Sequence, residues 1–265
     1  MRQLNAIRPI GLKTFCDEIE KVCSEAYLYN QGRLRPPHLI MPLDPGSGRT
    51  TCIEYMTDMY KNHGIIPFSG LDDYIEVVLD GSPQQIKKTF DFIDRSADYK
   101  NEYTNIIGMD ISNIANHLNE THLTEFISNV TRICENACVV FFIHSIPSKN
   151  EEKLIEKMYE QFCSIGAEKI KRINVDPYTY ENIRDLIIKM IDDRGILINH
   201  DKMIGDLLLD VIKDYGTITV RDAASVVDAL VHFADYSGFN PVINEKSIQS
   251  LTGSWTGNKE RSEVK

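Results

Sequence analysis

Short apolar stretches alternate with amphipathic stretches through the first two thirds of the chain. The apolar stretches have the length of strands, and the stretches between them repeat apolar residues at helical spacing. This alternation is typical of a parallel sheet with helices on its faces. It predicts five strands, at residues 38–43, 74–79, 105–110, 138–144 and 170–175. The accompanying helices are predicted at residues 13–29, 51–62, 83–99, 123–135 and 151–165.

The pattern changes after Asp176-Pro177, which ends the last strand. Helical periodicity then continues to about residue 236, with segments at 180–194, 201–214 and 219–234. We therefore expect four parts. They are an N-terminal segment and helix at 1–35, an α/β core domain at 36–176, a small all-helical domain at 177–236 and a flexible tail at 237–265.

Composition and charge narrow the range of functions. Hydrophobic residues make up 42% of the 265 residues and charged residues 26%, the ordinary balance of a folded protein. The formal net charge of -10 disfavours unaided DNA binding, because an acidic surface repels phosphate backbones. No stretch reaches the roughly 18 to 20 apolar residues of a spanning helix, and the N-terminus is polar. We expect a cytoplasmic protein without a membrane partner.

The segment after the first predicted strand carries the most chemical information. It reads Pro-Leu-Asp-Pro-Gly-Ser-Gly-Arg-Thr-Thr up to Thr51, a glycine-rich turn that runs directly into a helix. Glycines let successive backbone N–H groups point inward, the helix N-terminus adds partial positive charge, and a hydroxyl can bind Mg²⁺. Gly46, Gly48 and Thr50 stand where a phosphate-binding loop requires them. The alternative is a tight turn that holds no ligand.

Two positions of the phosphate-loop pattern G-x-x-x-x-G-K-[ST] are different in this chain. Leu43 occupies the first glycine position and Arg49 the lysine position. Arginine keeps the positive charge but is a longer, planar group, so it would hold phosphates in another way. If Arg49 filled the loop and the loop amides were already paired, no anion could bind there.

The order of motifs resembles the AAA+ ATPase family, in particular bacterial AAA+ proteins of the sporulation-protein and rubisco-activase type. Arg8-Pro-Ile-Gly-Leu12 is similar to their N-terminal segment, and the resemblance implies that Ile10 and Gly11 lie against adenine. The stretch of Pro45, Gly46, Ser47, Gly48, Arg49, Thr50 and Thr51 resembles their Walker A motif. The resemblance implies a five-stranded parallel P-loop sheet with flanking helices and a small helical lid, which binds ATP or ADP with Mg²⁺.

The third predicted strand resembles Walker B, with one substitution. In the family, an Asp helps to hold Mg²⁺ and a following Glu orients the attacking water. Here Asp110 matches the metal-side residue, whereas Ile111 replaces the glutamate. An isoleucine cannot orient water, and loss of a positioned base costs about 10² to 10⁴ in rate. The alternative for Asp110 is a structural carboxylate at the end of a strand.

Three further positions follow from the resemblance. His144 or Ser145, at the end of the fourth strand, is expected to be the sensor 1 residue, and the choice between them stays open. Arg221 resembles the sensor 2 arginine that reaches the phosphates from the lid. Its alternative is an exposed arginine paired with Asp222 or Asp228. No arginine occurs at residues 151–168, where active members carry an arginine finger.

These observations leave several functional hypotheses. The first is a divergent AAA+ module that binds an adenine nucleotide as a conformational or assembly switch, with weak or absent hydrolysis, in a homo-oligomer or beside an AAA+ partner subunit. The second is an active ATPase that a partner subunit completes. The third is a nucleotide-free interaction scaffold or a DNA-transaction adaptor. Nucleic acid is the less favoured partner because of the acidic charge.

Overall fold

The computed structural model describes residues 6–28, 36–66, 74–79, 81–96, 106–134, 137–164, 170–198, 202–215, 219–238 and 240–252. These residues form two compact units. The first ends at Asp176 and the second begins at Pro177.

The first unit is built on a five-stranded parallel sheet. Its strands are β1 (His38–Pro42), β2 (Tyr74–Val78), β3 (Ile106–Asp110), β4 (Cys138–Ile143) and β5 (Ile170–Arg172), in the spatial order β2-β3-β4-β1-β5. All residues of β1, β3 and β4 are buried, as expected for central strands covered on both faces. The predicted five-stranded parallel sheet is therefore confirmed.

Helices connect these strands and cover the sheet. They are α1 (Lys13–Leu28), α2 (Arg49–Asn62), α3 (Pro83–Ser96), α4 (Glu120–Cys134) and α5 (Lys149–Ser164), with a short 3₁₀ helix at Ile114–Asn116. The helix α2 begins two residues before the predicted start, directly after Gly48. The glycine-rich turn and the first turn of α2 therefore form one continuous structure.

The edge strand β5 is shorter than the predicted 170–175, and the sequence of β1 supplies the reason. The ladder between the two strands pairs Ile40 with Arg172, and the amide of Ile173 donates to the carbonyl of Ile40 at 3.0 Å. The next donor from β1 would be residue 42, which is a proline and has no N–H. The ladder therefore ends there.

The second unit is mainly helical. It contains α6 (Tyr180–Asp193), α7 (Lys202–Tyr215) and α8 (Val220–His232), together with the two-residue strands β6 (Leu197–Ile198) and β7 (Val242–Ile243), which pair in parallel. Thr179 and Thr219 cap α6 and α8 through their side-chain oxygens. The short strand pair supplements the helices expected from the sequence.

Part of the predicted flexible tail is ordered. Residues 242–243 form β7, and residues 245–252 are helical. Ile243, Ile248 and Leu251 are almost fully buried, and Asn244 caps the helical segment by accepting the Ser247 amide at 3.2 Å. Burial of these three apolar side chains is the physical reason that the segment folds. Residues 253–265 of the predicted tail lie outside the described residues.

Within the described ranges, no helix has both the length and the apolar character needed to cross a membrane.

Candidate functional site

The loop between β1 and α2 has the backbone form of an anion-binding turn. Gly46 and Gly48 have φ values of 86° and 91°, in the left-handed region that glycine adopts without strain. Among the described residues, no hydrogen bond uses the backbone N–H of Gly46, Gly48, Arg49 or Thr50. These four donors lie at the N-terminus of a 14-residue helix, where partial positive charge favours an anion.

Arg49, the residue in the lysine position, is held away from solvent by three interactions. Its Nη1 is ion-paired with Oδ2 of Asp110, and its Nε donates to the carbonyl of Leu43 at 2.6 Å. Its guanidinium carbon lies 5.1 Å from the centre of the Phe142 ring. The two charged side chains are only 9% and 8% exposed. Arg49 is therefore a partner of Asp110 in the core of the site.

The sheet order explains how this pair forms across 61 residues of sequence. Arg49 begins α2, the helix that follows β1 after the glycine-rich loop, Asp110 ends β3, and β4 lies between the two strands. Phe142 of β4 is the ladder partner of Asp110. The long arginine side chain thus spans β4 above the Phe142 ring to reach the carboxylate.

One guanidinium nitrogen of Arg49 remains unused. Nη2 is buried and has no hydrogen-bond acceptor within the described ranges. A buried donor without an acceptor costs about 1 to 3 kcal/mol. An anion bound beside Arg49 could satisfy this nitrogen while the pair with Asp110 stays intact.

Asp110 uses both carboxylate oxygens within the protein. Oδ2 accepts from Arg49, and Oδ1 accepts from the amide and hydroxyl of Ser112 at 3.1 and 2.6 Å. Ile111 is fully buried in the main apolar core, and its amide extends the ladder to β4 by donating to Phe142. The position that carries glutamate in active relatives is therefore occupied by a core side chain.

Thr50 is exposed, and its hydroxyl donates to Oε2 of Glu76 at 2.8 Å. Of the other residues in the predicted Walker A stretch, Pro45 is exposed, whereas Ser47 and Thr51 are half-buried. The Ser47 amide donates to the carbonyl of Asp44 at 3.1 Å. The Thr50 hydroxyl, which is predicted to bind Mg²⁺, therefore lies beside the carboxylate of Glu76 on β2.

The tip of β4 is tied to the loop through Ser145. The Ser145 amide donates to Oδ1 of Asp44 at 3.1 Å, and the Ser145 hydroxyl donates to Oδ2. Burial raises the pKa of Asp44, but the hydrogen bonds from Ser145 and the charges of His144 and Arg49 outweigh it and lower the pKa. Of the two sensor 1 candidates, Ser145 is the one hydrogen-bonded to the loop.

His144 instead faces α5. Its Nδ1 lies 2.9 Å from Oε1 of Glu151, which also accepts the His144 amide at 3.1 Å, while Oε2 accepts the Ser148 amide at 2.8 Å. Burial alone would raise the pKa of Glu151, which is 1% exposed, but these hydrogen bonds hold it below its ordinary value. Glu151 therefore fixes both His144 and the start of α5.

Ile10 and Gly11 are half-buried and lie just before α1. Within the described ranges, no hydrogen bond joins either residue to the glycine-rich loop. The segment is anchored next to α2, because Arg8 is paired with Glu20 at 2.6 Å and Glu20 accepts the Tyr55 hydroxyl at 3.0 Å. Their contact with adenine stays a prediction.

Arg221 is exposed in the first turn of α8, in the second unit. Its alternative partners are engaged elsewhere. Asp228 is paired with Arg194 at 2.6 Å, and Asp222 accepts from the capping residue Thr219. In the structure, Arg221 therefore pairs with neither carboxylate. The role of Arg221 towards phosphate stays a prediction.

The donors and acceptors around the loop fit a nucleotide with Mg²⁺. The four unpaired amides and Nη2 of Arg49 suit phosphate oxygens, and Thr50 and Glu76 present oxygen atoms of the kind that Mg²⁺ prefers. Both oxygens of Asp110, the predicted metal-side residue, already accept hydrogen bonds. The described part of the chain has no cluster of three or more His, Cys, Asp or Glu side chains that could hold a metal. A metal here would rely on phosphate and water as further ligands.

Three carboxylates of the site were missed by sequence reasoning, namely Asp44, Glu76 and Glu151. Asp44 and Glu151 occupy positions at which no local pattern marks a function. A signal for Glu76 exists in Gly108, because a glycine inside a buried strand often marks a close approach of another group.

Comparison with known proteins supports the fold through structure alone. No protein-family model matches the chain, and no curated protein sequence matches it. Solved structures do match. The RuvB Holliday junction branch migration motor of Thermotoga maritima has a TM-score of 0.59 at 12% identity, over 92% of this chain and 70% of that chain. PCH-2 of C. elegans has a TM-score of 0.54 at 9% identity, over 89% of this chain and 66% of that chain.

Both matched proteins are AAA+ ATPases, and at these identities the likeness concerns the fold. The sheet order, the glycine-rich loop after β1 and the helical second unit agree with it. This chain therefore has the fold of the AAA+ ATPases, as the resemblance of its motifs predicted.

Proposed function

We propose that this chain binds an adenine nucleotide with Mg²⁺ at the loop between β1 and α2, and uses it as a conformational or assembly switch with little or no hydrolysis. The observation that carries the proposal is the state of the loop. Arg49 is folded onto Asp110, but the amides of Gly46, Gly48, Arg49 and Thr50 are unpaired. An anion can therefore use the loop without displacing an existing hydrogen bond.

The charges around the loop decide how strongly phosphate binding depends on Mg²⁺. Asp110 neutralises Arg49, while Asp44 and Glu76 add negative charge beside the loop. Unlike the lysine of an ordinary Walker A motif, the arginine is not a free point charge. We therefore expect phosphate binding to depend strongly on Mg²⁺, which offsets the repulsion from the carboxylates.

Weak hydrolysis follows from the residue at position 111. Ile111 is fully buried among apolar side chains and cannot position water. The helix α5 contains no arginine, and the nearest one, Arg172, is paired with Glu152 at 3.3 Å. Loss of a general base and of an arginine finger each costs orders of magnitude in rate.

A switch requires two states that a ligand distinguishes. We expect the nucleotide to bind at the loop between β1 and α2 and to bind one conformation of the chain more tightly than the other. In a homo-oligomer or beside an AAA+ partner subunit, the same change would control assembly. The likeness to RuvB concerns the fold, so DNA binding is not part of the proposal.

Calorimetric titration of the purified chain with ATP and with ADP, in the presence of Mg²⁺, tests the proposal. The wild type should bind, and Arg49→Gln should weaken binding about tenfold or more, because a charged hydrogen bond is removed. Arg132→Gln, which removes an equal charge from an ion pair with Asp94, is the matched control and should bind as the wild type does. Light scattering with and without nucleotide then reports assembly.

The alternatives have distinct outcomes. If neither nucleotide binds up to millimolar concentration, the proposal is wrong and the chain is a nucleotide-free scaffold. If ATP is turned over and Asp110→Asn removes the turnover, the chain is an active ATPase. Binding to DNA that falls steeply with salt would identify an adaptor for nucleic acid.

A further inference from the structure

The contact between Thr50 and Glu76 joins two elements that lie far apart in the sheet. Thr50 is in the first turn of α2, which follows β1, whereas Glu76 lies on the edge strand β2, with β3 and β4 between them. The Thr50 hydroxyl nevertheless donates to Oε2 of Glu76 at 2.8 Å. Both side chains are exposed, so water and ions can reach them.

A missing side chain on β3 makes this contact possible. Gly108 is the ladder partner of Glu76. A Cβ at position 108 would lie 2.2 Å from Cδ1 of Ile53 and 3.2 Å from Cγ of Glu76. Any larger residue would therefore displace Ile53 of α2 and crowd Glu76. Gly108 provides the space through which the carboxylate reaches the start of α2.

Asp110 is the carboxylate predicted to lie beside the metal, but both of its oxygens already accept hydrogen bonds. Its oxygens accept from Arg49 and from Ser112, and the pair with Arg49 is more than nine-tenths buried. Separation of such a pair leaves an uncompensated buried charge. In contrast, Oε1 of Glu76 accepts no hydrogen bond from any described residue. Glu76 is thus the more available of the two carboxylates.

We propose that Glu76, and not Asp110, is the carboxylate that serves the Mg²⁺ of the bound nucleotide. Glu76 accepts a hydrogen bond from the Thr50 hydroxyl and so leaves the oxygen lone pairs of Thr50 to the metal. Its second oxygen is available to metal-bound water, and its charge adds to the affinity for a hard cation. This inference rests on the proposed function, because the metal accompanies the nucleotide.

The test is the gain in nucleotide affinity that Mg²⁺ produces over EDTA, measured with a fluorescent ATP analogue. Glu76→Gln should reduce the gain about tenfold or more, the usual effect of losing a group around a metal, and should not lower the affinity in EDTA, because it removes a charge that repels phosphate. Glu54→Gln is the matched control. Glu54 lies one turn after Thr50, is exposed and accepts the Tyr74 hydroxyl at 3.2 Å, so its loss removes the same charge without touching Thr50. Glu54→Gln should keep the full gain in nucleotide affinity that Mg²⁺ produces.

A second readout follows the metal directly. Mn²⁺ is titrated into the ADP-loaded protein, and the paramagnetic resonance signal of free Mn²⁺ reports how much is bound. Glu76→Gln should bind Mn²⁺ about tenfold more weakly, whereas the control Glu54→Gln should bind it as the wild type does. The inference is overturned if Glu76→Gln keeps the metal-dependent gain or if Glu54→Gln loses it to the same extent. A wild type that binds no nucleotide with or without Mg²⁺ would instead refute the proposed function, and this inference with it.

Discussion

Replacement of Arg49 by Met removes one half of the buried pair and leaves the Asp110 carboxylate without its charged partner. Loss of one partner of a buried ion pair costs about 3 to 5 kcal/mol. Both side chains are over 90% buried, so solvent does little to screen this loss. The contact of Arg49 with the Phe142 ring adds about 1 kcal/mol. Asp110→Asn should cost a similar amount, because it leaves the guanidinium unpaired.

The double variant distinguishes a true pair from two independent losses. Arg49→Met combined with Asp110→Asn removes both charges, so its free energy of unfolding should fall by about 2 kcal/mol less than the sum of the single losses. Urea unfolding followed by circular dichroism measures the four proteins. Arg172 and Glu152 form an exposed pair at 3.3 Å and supply the control cycle, for which each loss should stay below about 1 kcal/mol.

Two results would refute this reasoning. If Arg49→Met and Asp110→Asn each cost less than about 1 kcal/mol, or if their losses simply add, the two side chains are not paired in solution. A lysine at position 49 separates the effect of the charge from that of the hydrogen bonds. Arg49→Lys keeps the charge but loses the planar fork and the hydrogen bond from Nε to Leu43, so we expect a loss smaller than that of Arg49→Met.

Three further predictions concern other parts of the chain. Ile111→Glu should not restore ATP turnover and should lower the free energy of unfolding by about 3 kcal/mol or more, because it places an unpaired carboxylate in the core; phosphate release and urea unfolding measure the two effects. The lowered pKa of Glu151 means that its stabilisation is present above its ordinary value of about 4.5 and is lost as the pH falls through the lowered pKa. Glu151→Gln should therefore be less stable at neutral pH and show a flatter decline in acid unfolding, and an unchanged decline would contradict the assignment. Thr179→Ala removes the capping box of α6 and should cost about 1 kcal/mol in thermal unfolding, whereas Thr179→Ser should cost much less.

Much of the fold is local in origin and was predictable for that reason. Apolar runs set the strands, and helical spacing set the helices, because each pattern repeats within a few residues of itself. The glycine-rich turn was recognisable because it needs positive φ angles at Gly46 and Gly48, which glycine adopts without strain. The short edge strand was not foreseen, because its end depends on Pro42 of a neighbouring strand.

The boundary of order at the C-terminus was predicted less well. The segment after residue 237 lacks a strong period, yet Ile243, Ile248 and Leu251 are buried in the second unit. The apolar side chains of this polar segment are scattered and show no helical spacing, but each of the three buried ones gains from burial once a surface is present. Only the folded unit provides that surface.

The sequence by itself determined the glycine-rich loop, the arginine in place of lysine and the isoleucine in place of glutamate. These are identities at single positions, and no fold can alter them. The tertiary structure alone decided which groups those residues meet. Arg49 reaches Asp110 because β4 separates β1 from β3 by one strand, and Thr50 reaches Glu76 because Gly108 leaves space beside Ile53. Both contacts join residues far apart in the chain, so they depend on strand order and side-chain volume, which local patterns do not encode.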